Sequence, residues 1–523
     1  EEGAGMGASR CSSCALAREK GLLLSSEEAT HTRPEAVKRT GVAAAALVVE
    51  RDVRFDGVYE LVKHDLLGQG TFSSVYRCRH KETKQERAVK VIQRSLLKTC
   101  IQVEIEVNIW KGMDHPNIVR LVEYFEDVSC HRLVMELCEG GELFEHILDE
   151  APLKEASAAA VLMQAAKAVS YLHAHNIIHR DLKAENFVMT DTTIQKAAIK
   201  LIDFGNSRHL GPGEFTTTKI GLPHYASPEA VEGCYNNKAD MWSLGVVTFM
   251  MLVGQPLVSG SNTQEVLSLL KNFKIFTALS RLPHTSPASR SVLTKLLDIR
   301  VPKRPSAPEL LEEEWFQKPL NKHDKKGGHG KEHATVELAR FEAMERLQTF
   351  DPRSHAEQLF LVAAASQINT KEVRELEKMF LELDTKHRGA LGHEEIAAAL
   401  RTVGKNISDV DARKLCEKID LDGNGTIEYS EFLAATVDGL LANKDQACWR
   451  AFKMFDLDGS GFIEIAELVK LLGSDEVKNA SGHCGASEDV IRGIYAELDT
   501  NSDGQVDYDE FVLILHRLQT RDQ

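Results

Sequence analysis

Apolar and polar residues alternate over short runs at Tyr59–Leu67, Ser74–Cys78, Glu86–Ile92 and His131–Glu136, punctuated by Gly68, Gly70 and charged turns. A period of two over so few residues predicts strands with one face buried. After Gly141 the period lengthens, and Ala158–His173 and Ala239–Val253 read as helices. A strand-rich part followed by a helical part predicts two lobes with a cleft between them. Residues 1–57 show no sustained period, carry Ala43–Ala46 in a row and are rich in Ala, Ser, Glu and Arg, so they are expected to form a disordered extension. Lys, His and Gly dominate Lys322–Lys331, which reads as a solvated connector.

Beyond the connector, Leu338, Phe341, Met344 and Leu347 fall at three-residue steps, and Leu359–Ala365 is a second apolar patch. This spacing predicts an amphipathic junction helix that a helical groove could grip. Phe350-Asp351-Pro352-Arg353 interrupts it, because proline lacks a backbone donor and clashes with the preceding turn, so two shorter helices are expected. From Glu375 the chain repeats as helix, loop, helix. Loops of one pattern start at Asp420, Asp456 and Asp499, with an altered copy at Asp384; the separations are 36, 36 and 43 residues, the last stretched by an insertion at Ser481–Ser487.

A hard divalent cation takes six to eight oxygens, with carboxylates at loop positions 1, 3, 5 and 12 and a glycine at the sharp turn. Three loops meet this demand: Asp420, Asp422, Asn424, Thr426 and Glu431; Asp456, Asp458, Ser460, Phe462 and Glu467; Asp499, Asn501, Asp503, Gln505 and Glu510, where Thr426, Phe462 and Gln505 serve through the backbone carbonyl. Ile427, Ile463 and Val506 stand where paired loops join by a short strand link. In the altered copy Lys386 and Arg388 occupy positions that require negative oxygens, so Asp384–Glu395 is expected to keep its outline without binding calcium.

Charge and composition narrow the classes. From Lys371 to Gln523 there are 18 Lys and Arg against 31 Asp and Glu, so nearly all of the net charge of −15 lies in that stretch. Such a skew disfavours nucleic acid as a partner and suits an array of cation sites. With 43% hydrophobic and 27% charged residues the chain is globular in composition, which excludes collagenous and wholly disordered classes. The apolar run Trp242–Val258 falls short of a membrane span and reads as a buried helix. Glu1 and Glu2 stand where a secretory signal would be basic, so a cytoplasmic protein is expected. The single CxxC, Cys11–Cys14, has no second pair to complete a zinc site.

The strand-rich part carries an ordered series of motifs: Gly68-Gln69-Gly70-Thr71-Phe72-Ser73-Ser74-Val75, Ala88-Val89-Lys90, Glu106, His179-Arg180-Asp181-Leu182-Lys183-Ala184-Glu185-Asn186, Asp203-Phe204-Gly205 and Ser227-Pro228-Glu229. At these separations the chain resembles the protein kinases, and with the repeats it resembles the calcium-dependent protein kinases of the plant and apicomplexan type over residues 59–519. The resemblance implies an α+β class, with a two-lobed protein kinase fold followed by an all-α, calmodulin-like EF-hand domain. It implies a kinase domain over 58–317, a linker and junction helix over 318–370, and four EF-hands over 371–523, the first degenerate.

By the same resemblance the activity is transfer of the ATP γ-phosphate to serine or threonine hydroxyls, switched by calcium, with ATP, Mg²⁺ and three Ca²⁺ as cofactors. Asp181 would accept the hydroxyl proton, Lys183 would neutralise the moving phosphate, and Asn186 and Asp203 would hold magnesium. Gly68, Gly70, Val75, Ala88, Lys90 held by Glu106, Met135, Glu136, Cys138 and Glu142 would line the nucleotide site. Glu229 would pair with Arg304, and Asp240 would anchor the catalytic loop. Glu142 and Glu185 match positions that receive an arginine of the substrate, which implies protein substrates with basic residues near the target. Four residues depart from the family pattern: Ser73, Ala184, Trp110 and Leu222, the last replacing a threonine that bonds to the catalytic aspartate. The alternative reading is a catalytically weak or inactive scaffold that responds to calcium. Met6-Gly7-Ala8-Ser9-Arg10 with Cys11 and Cys14 resembles an acylation start, with Cys11 where Ser or Thr is usual; with Met6 as the initiator it implies attachment to a membrane, and the alternative is a plain disordered tail.

Overall fold

The computed structural model describes residues 47–51, 53–70, 73–96, 101–194, 197–218, 223–282, 285–317, 330–352, 354–368, 370–441, 445–473 and 488–516. The chain divides into two compact units. One holds residues 140–321; the other holds residues 35–139 together with 322–523, so the strand-rich segment groups with the C-terminal repeats.

In the second unit a six-stranded sheet is ordered β1-β5-β6-β4-β3-β2, with β1 Val49–Arg51, β2 Tyr59–Gln69, β3 Ser73–His80, β4 Glu86–Gln93, β5 Leu121–Glu126 and β6 Cys130–Met135. β1 runs parallel to β5, and the other pairings are antiparallel. The four strands expected from alternation are all present, each extended by one to three residues or shifted by one. β5 escapes a period-two reading because its first five residues are all buried. β1 corrects the expectation of disorder only for the end of the 1–57 extension, where Val49 is fully buried, Leu47 nearly so, and Phe55 stacks on Tyr59; residues 1–46 lie outside the described residues. Three residues are too few to show a period, and this strand exists through pairing at the sheet edge.

Helices Gly330–Thr349 and His355–Ser366 form the junction, divided at Phe350-Asp351-Pro352 as the proline dictates, with Ser354 capping the second helix. Seven consecutive residues of that helix, Leu359–Ala365, are buried, and the Phe360 ring lies 4.8 Å from Phe455 and 4.7 Å from Phe511. A helix apolar all round belongs in the middle of a core. The first helix differs from expectation, because Met344 and Leu347 are buried while Leu338 and Phe341 are exposed. Steps of three residues lag the 3.6-residue turn, so residues nine apart stand on opposite faces.

The repeats follow as four helix–loop–helix units between Thr370 and His516. Single bridges Leu391↔Ile427 and Ile463↔Val506 join the loops in pairs through the position expected from the sequence. Gly425, Gly461 and Gly504 turn the loops at φ of 85°, 91° and 85°, conformations that L side chains resist.

The unit of residues 140–321 is mainly helical. Helix Lys238–Val253 buries every residue from Ala239 to Leu252, which identifies the apolar run there as a core helix. A side chain at Gly245 would stand 2.9 Å from Leu296 and Leu297, so glycine permits close packing of helix Pro287–Leu296. Two small ribbons, Ile177–Ile178 with Arg208–His209 and Phe187–Met189 with Ile199–Leu201, bracket the loops that carry residues 179–186 and 202–207. Among the described residues no helix is long and apolar enough to cross a membrane.

Candidate functional site

The loop 179–186 is pinned by a buried carboxylate. Asp240 Oδ2 accepts the backbone N–H of His179 at 2.9 Å and Nε2–H of His173 at 2.9 Å, while Oδ1 accepts the N–H of Arg180 at 2.9 Å. Burial alone would raise the Asp240 pKa; the donors from His173 and His179 outweigh it and hold the group ionised. Burial pushes His179 down, which keeps it neutral: Nδ1 accepts the Asp181 N–H at 3.4 Å and Nε2–H donates to the Ile202 carbonyl at 3.3 Å. Arg180 and Asp203 stand at φ of 69° and 67°, left-handed positions that cost a non-glycine residue about 1–2 kcal/mol each. Arg180 Nε–H donating to the Asn206 carbonyl at 2.6 Å helps hold this geometry.

Three donors converge on one oxygen of Asp181. Lys183 Nζ lies 3.1 Å from Oδ2, Asn206 Nδ2 3.4 Å and Asn186 Nδ2 3.5 Å, and Asn186 Nδ2 also donates to the Asp181 carbonyl at 2.8 Å. Oδ1 receives no donor from the described residues, so one oxygen is fixed and the other is presented. Asn206 is a residue that sequence reasoning passed over: it follows Asp203-Phe204-Gly205 directly, and its amide was the available signal. Asn186 Oδ1 and the Asp203 carboxylate are oxygens of the kind a hard cation takes. The expected pair Glu229–Arg304 is present and buried, with Nη1–Oε1 at 2.6 Å and Nη2–Oε2 at 3.2 Å, and Arg304 also stacks over Trp242.

In the unit of residues 35–139, Lys90 on β4 donates to Glu106 on helix Ile101–Lys111 at 2.6 Å. Lys90 faces Val75 across the ladder, Gly68 also pairs with Val75, and Ala88 pairs with Met135. The Gly70 N–H donates to the Ser73 carbonyl at 2.8 Å, closing the turn of the glycine-rich loop. Glu136 is buried; its carboxylate accepts the Arg120 N–H at 2.8 Å and its own N–H donates to the Arg120 carbonyl at 3.1 Å, which commits both groups to the strand. Cys138 is half-buried two residues on. Trp110 is buried with Nε1–H on the Val119 carbonyl at 2.6 Å, so the larger ring ties the helix to the chain entering β5. Thr71, Phe72 and Leu222 lie outside the described residues, as does the run Met6–Cys14.

Glu142 has a raised pKa, first from burial and then from Glu145 and Glu185, with Lys183 the one opposing charge. Glu185 Oε2 accepts the Tyr225 hydroxyl at 3.0 Å. This is a half-buried acidic cluster with little cation of its own.

The repeat loops fall into two electrical kinds. In Asp420–Glu431 one ligand atom each of Asp420, Asp422 and Glu431 lies within 4.8 Å of the others, and the same holds for Asp456, Asp458 and Glu467. Burial and neighbouring carboxylates raise the pKa of Asp420 and, further, of Glu431. Asp456 Oδ1 is buried with no hydrogen-bond partner, which fits a cation site. Asn424 Oδ1 accepts from Thr426 at 2.6 Å, and Ser460 Oγ donates to the Phe462 carbonyl at 3.2 Å. The third loop is more open: Asp499, Asp503 and Glu510 are not gathered to the same distance, and Asn501 Nδ2 donates to Asp503 at 3.0 Å while Gln505 N–H donates there at 2.9 Å. In the altered loop the cations pair with the loop's own acids: Arg388 Nη2 reaches Glu395 at 3.5 Å, Lys386 Nζ reaches Glu394 at 2.6 Å, and Asp384 accepts two backbone N–H groups.

A protein kinase domain model matches residues 61–316, and an EF-hand domain pair model matches residues 373–437 and 444–515. The chain is 32% identical over 473 residues to calcium-dependent protein kinase 5 of Plasmodium falciparum (isolate 3D7), covering 90% of this chain and 80% of that protein. It is 35% identical over 453 residues to calcium-dependent protein kinase 7 of Arabidopsis thaliana, covering 86% and 81%.

Proposed function

We propose, from the premise that this chain belongs to the calcium-dependent protein kinase family, a division of labour among its residues. The chain is a calcium-activated serine/threonine kinase that uses ATP and Mg²⁺ and binds Ca²⁺ through its EF-hands. Asp181 Oδ1 takes the proton of the substrate hydroxyl as the hydroxyl oxygen bonds to the γ-phosphorus and the bond from that phosphorus to the bridging oxygen of ADP breaks. The observation that carries this role is the convergence of Lys183, Asn186 and Asn206 on Oδ2, which leaves Oδ1 to the hydroxyl. Lys183 stands where phosphate charge moves. Magnesium, when bound, neutralises phosphate oxygens, and Asn186 and Asp203 are the residues that would hold it. Lys90, oriented by Glu106, fixes the phosphates, and Gly68, Gly70, Val75, Ala88, Met135, Glu136 and Cys138 enclose the nucleotide.

The finer assignments rest on charge. Three loops, starting at Asp420, Asp456 and Asp499, take calcium, because only Asp384–Glu395 contains its own cations. Glu142, with Glu145 and Glu185, receives an arginine of the substrate, since Lys183 is the one positive charge that opposes three acids. The acylation pattern at Gly7, Cys11 and Cys14 supports membrane attachment of an otherwise cytoplasmic chain. Mass spectrometry finding residues upstream of Met6 on the native protein would remove that assignment. The central reading is tested by peptide phosphorylation with and without calcium. Calcium-dependent transfer to serine or threonine supports it, and calcium binding without transfer at any calcium level overturns it.

A further inference from the structure

Arg51 lies ahead of both matched domains, yet it is among the most thoroughly bonded cations in its unit. Its side chain is 4% exposed. Nη1–H donates to the carbonyls of Asp456 at 2.9 Å and Leu457 at 3.1 Å; Nη2–H donates to the carbonyl of Lys453 at 2.9 Å and to Glu123 Oε1 at 3.0 Å. Three of these four acceptors are the end of helix Asp445–Phe455 and the first two residues of the loop Asp456–Glu467. The fourth is a buried carboxylate on β5, the strand that β1 pairs with.

We infer that Arg51 is a positioning residue for the calcium loop Asp456–Glu467, and that β1 is the part through which this loop bears on the kinase sheet. This rests on the calcium-activated kinase reading above and adds a residue to it. The last carbonyls of a helix have no partner within the helix, and a cation there satisfies them and opposes the negative end of the dipole. Arg51 does both while holding the backbone of loop positions 1 and 2, so calcium meets a loop entrance that is already ordered. A cation beside Asp456 would by itself repel calcium. The ion pair with Glu123 offsets that charge, so ordering is the larger effect.

A second tie runs from the same place. Lys453 Nζ bonds Asp456 Oδ2 at 2.9 Å and also reaches Glu82, on the turn between β3 and β4, at 3.2 Å. The first ligand of this loop is therefore linked to the sheet through both its backbone and its carboxylate. The loop Asp420–Glu431 is held differently, at its exiting helix, where Asp114 accepts the Ser430 N–H and hydroxyl at 2.8 Å each.

The test uses the full chain, with calorimetric calcium titration and kinase rate against free calcium for Arg51→Ala, Arg51→Lys, Glu467→Gln and Arg51→Ala combined with Glu467→Gln. Arg51→Ala is expected to weaken one calcium site about tenfold and to raise half-activating calcium by a similar factor, with the rate at saturating calcium within about twofold of wild type. Arg51→Lys, which keeps charge and fewer donors, is expected to fall between. Because Glu467→Gln already impairs this loop, adding Arg51→Ala is expected to shift activation no further. An equal further shift in that background overturns the proposal, and so does an unchanged titration with rates lowered at every calcium level. If Arg51→Ala does not fold, Arg51→Lys decides by the same two readouts. A wild-type rate indifferent to calcium would sink the activation reading, while the titration would still judge Arg51.

Discussion

The catalytic loop and the calcium loops both gather carboxylates, and they treat them in opposite ways. Around Asp181 and Asp240 the protein supplies its own donors: a lysine, two asparagine amides, a histidine and two backbone N–H groups. In Asp420–Glu431 and Asp456–Glu467 the acids are crowded together with no cation inside either loop; Lys453, outside the second loop, pairs with one oxygen of Asp456, and the other oxygen has no partner among the described residues. A cluster neutralised from within is set for work on a substrate; one that is not neutralised waits for a cation. The altered loop Asp384–Glu395 makes the contrast inside one architecture, because Lys386 and Arg388 give it the electrical character of a finished site.

The contrast breaks most severely at the nucleotide contacts. Lys90→Met or Asp203→Ala is expected to lower phosphoryl transfer on the order of a thousandfold, since such groups act on charge that develops in the transition state. Calcium titration of the same variants should be unchanged. Residual activity above a tenth of wild type would remove the role from that residue.

On the calcium side, Glu467→Gln removes half of a bidentate carboxylate from a loop with no charge to spare. Affinity at that site is expected to fall on the order of a hundredfold, with half-activating calcium rising and the saturated rate less affected. Wild type should titrate with three ions. A fourth strong site would mean that Lys386 and Arg388 do not fill their loop, and replacing both with aspartate is the direct way to seek one.

The elements with strong periods could be read from the chain alone: four strands of the sheet, the long helices of residues 140–321, the two-part junction and all four repeats. What escaped had physical reasons. β1 is too short to carry a period and β5 is buried on both faces, so neither alternates. Leu338 and Phe341 matched a three-residue step that a real helix does not keep. Site residues that belong to a motif were visible, whereas Arg51 touches backbone far along the chain and Asn206 touches the Asp181 carboxylate, contacts that no local pattern encodes.

Asn206 probes the finished side of the comparison more gently. Its amide is one of three donors on Asp181 Oδ2 and at 3.4 Å a long one, so its loss should loosen the carboxylate without displacing it. Asn206→Leu is expected to lower kcat about tenfold while KM for ATP and peptide stays nearly constant, the signature of an interaction that matters in the transition state. A rise in KM with kcat preserved would place Asn206 in binding.

The smallest expected effect falls on a cluster that shares the catalytic unit yet behaves like a calcium loop. Glu142 is partly buried and crowded by Glu145 and Glu185, so its pKa is raised and it protonates at a higher pH than an ordinary glutamate. The ionised form is the one that attracts an arginine of the substrate. Lowering the pH toward the carboxylate range should therefore raise KM for an arginine-bearing peptide before kcat changes, and a peptide with that arginine replaced by alanine should show no such dependence. Glu142→Gln should raise KM for the arginine peptide a few-fold, the size of one partly exposed charged contact, and abolish the early pH response. An early rise that persists in Glu142→Gln would assign the titration to another group, and an equal KM for both peptides in wild type would mean that this cluster waits for no cation of the substrate.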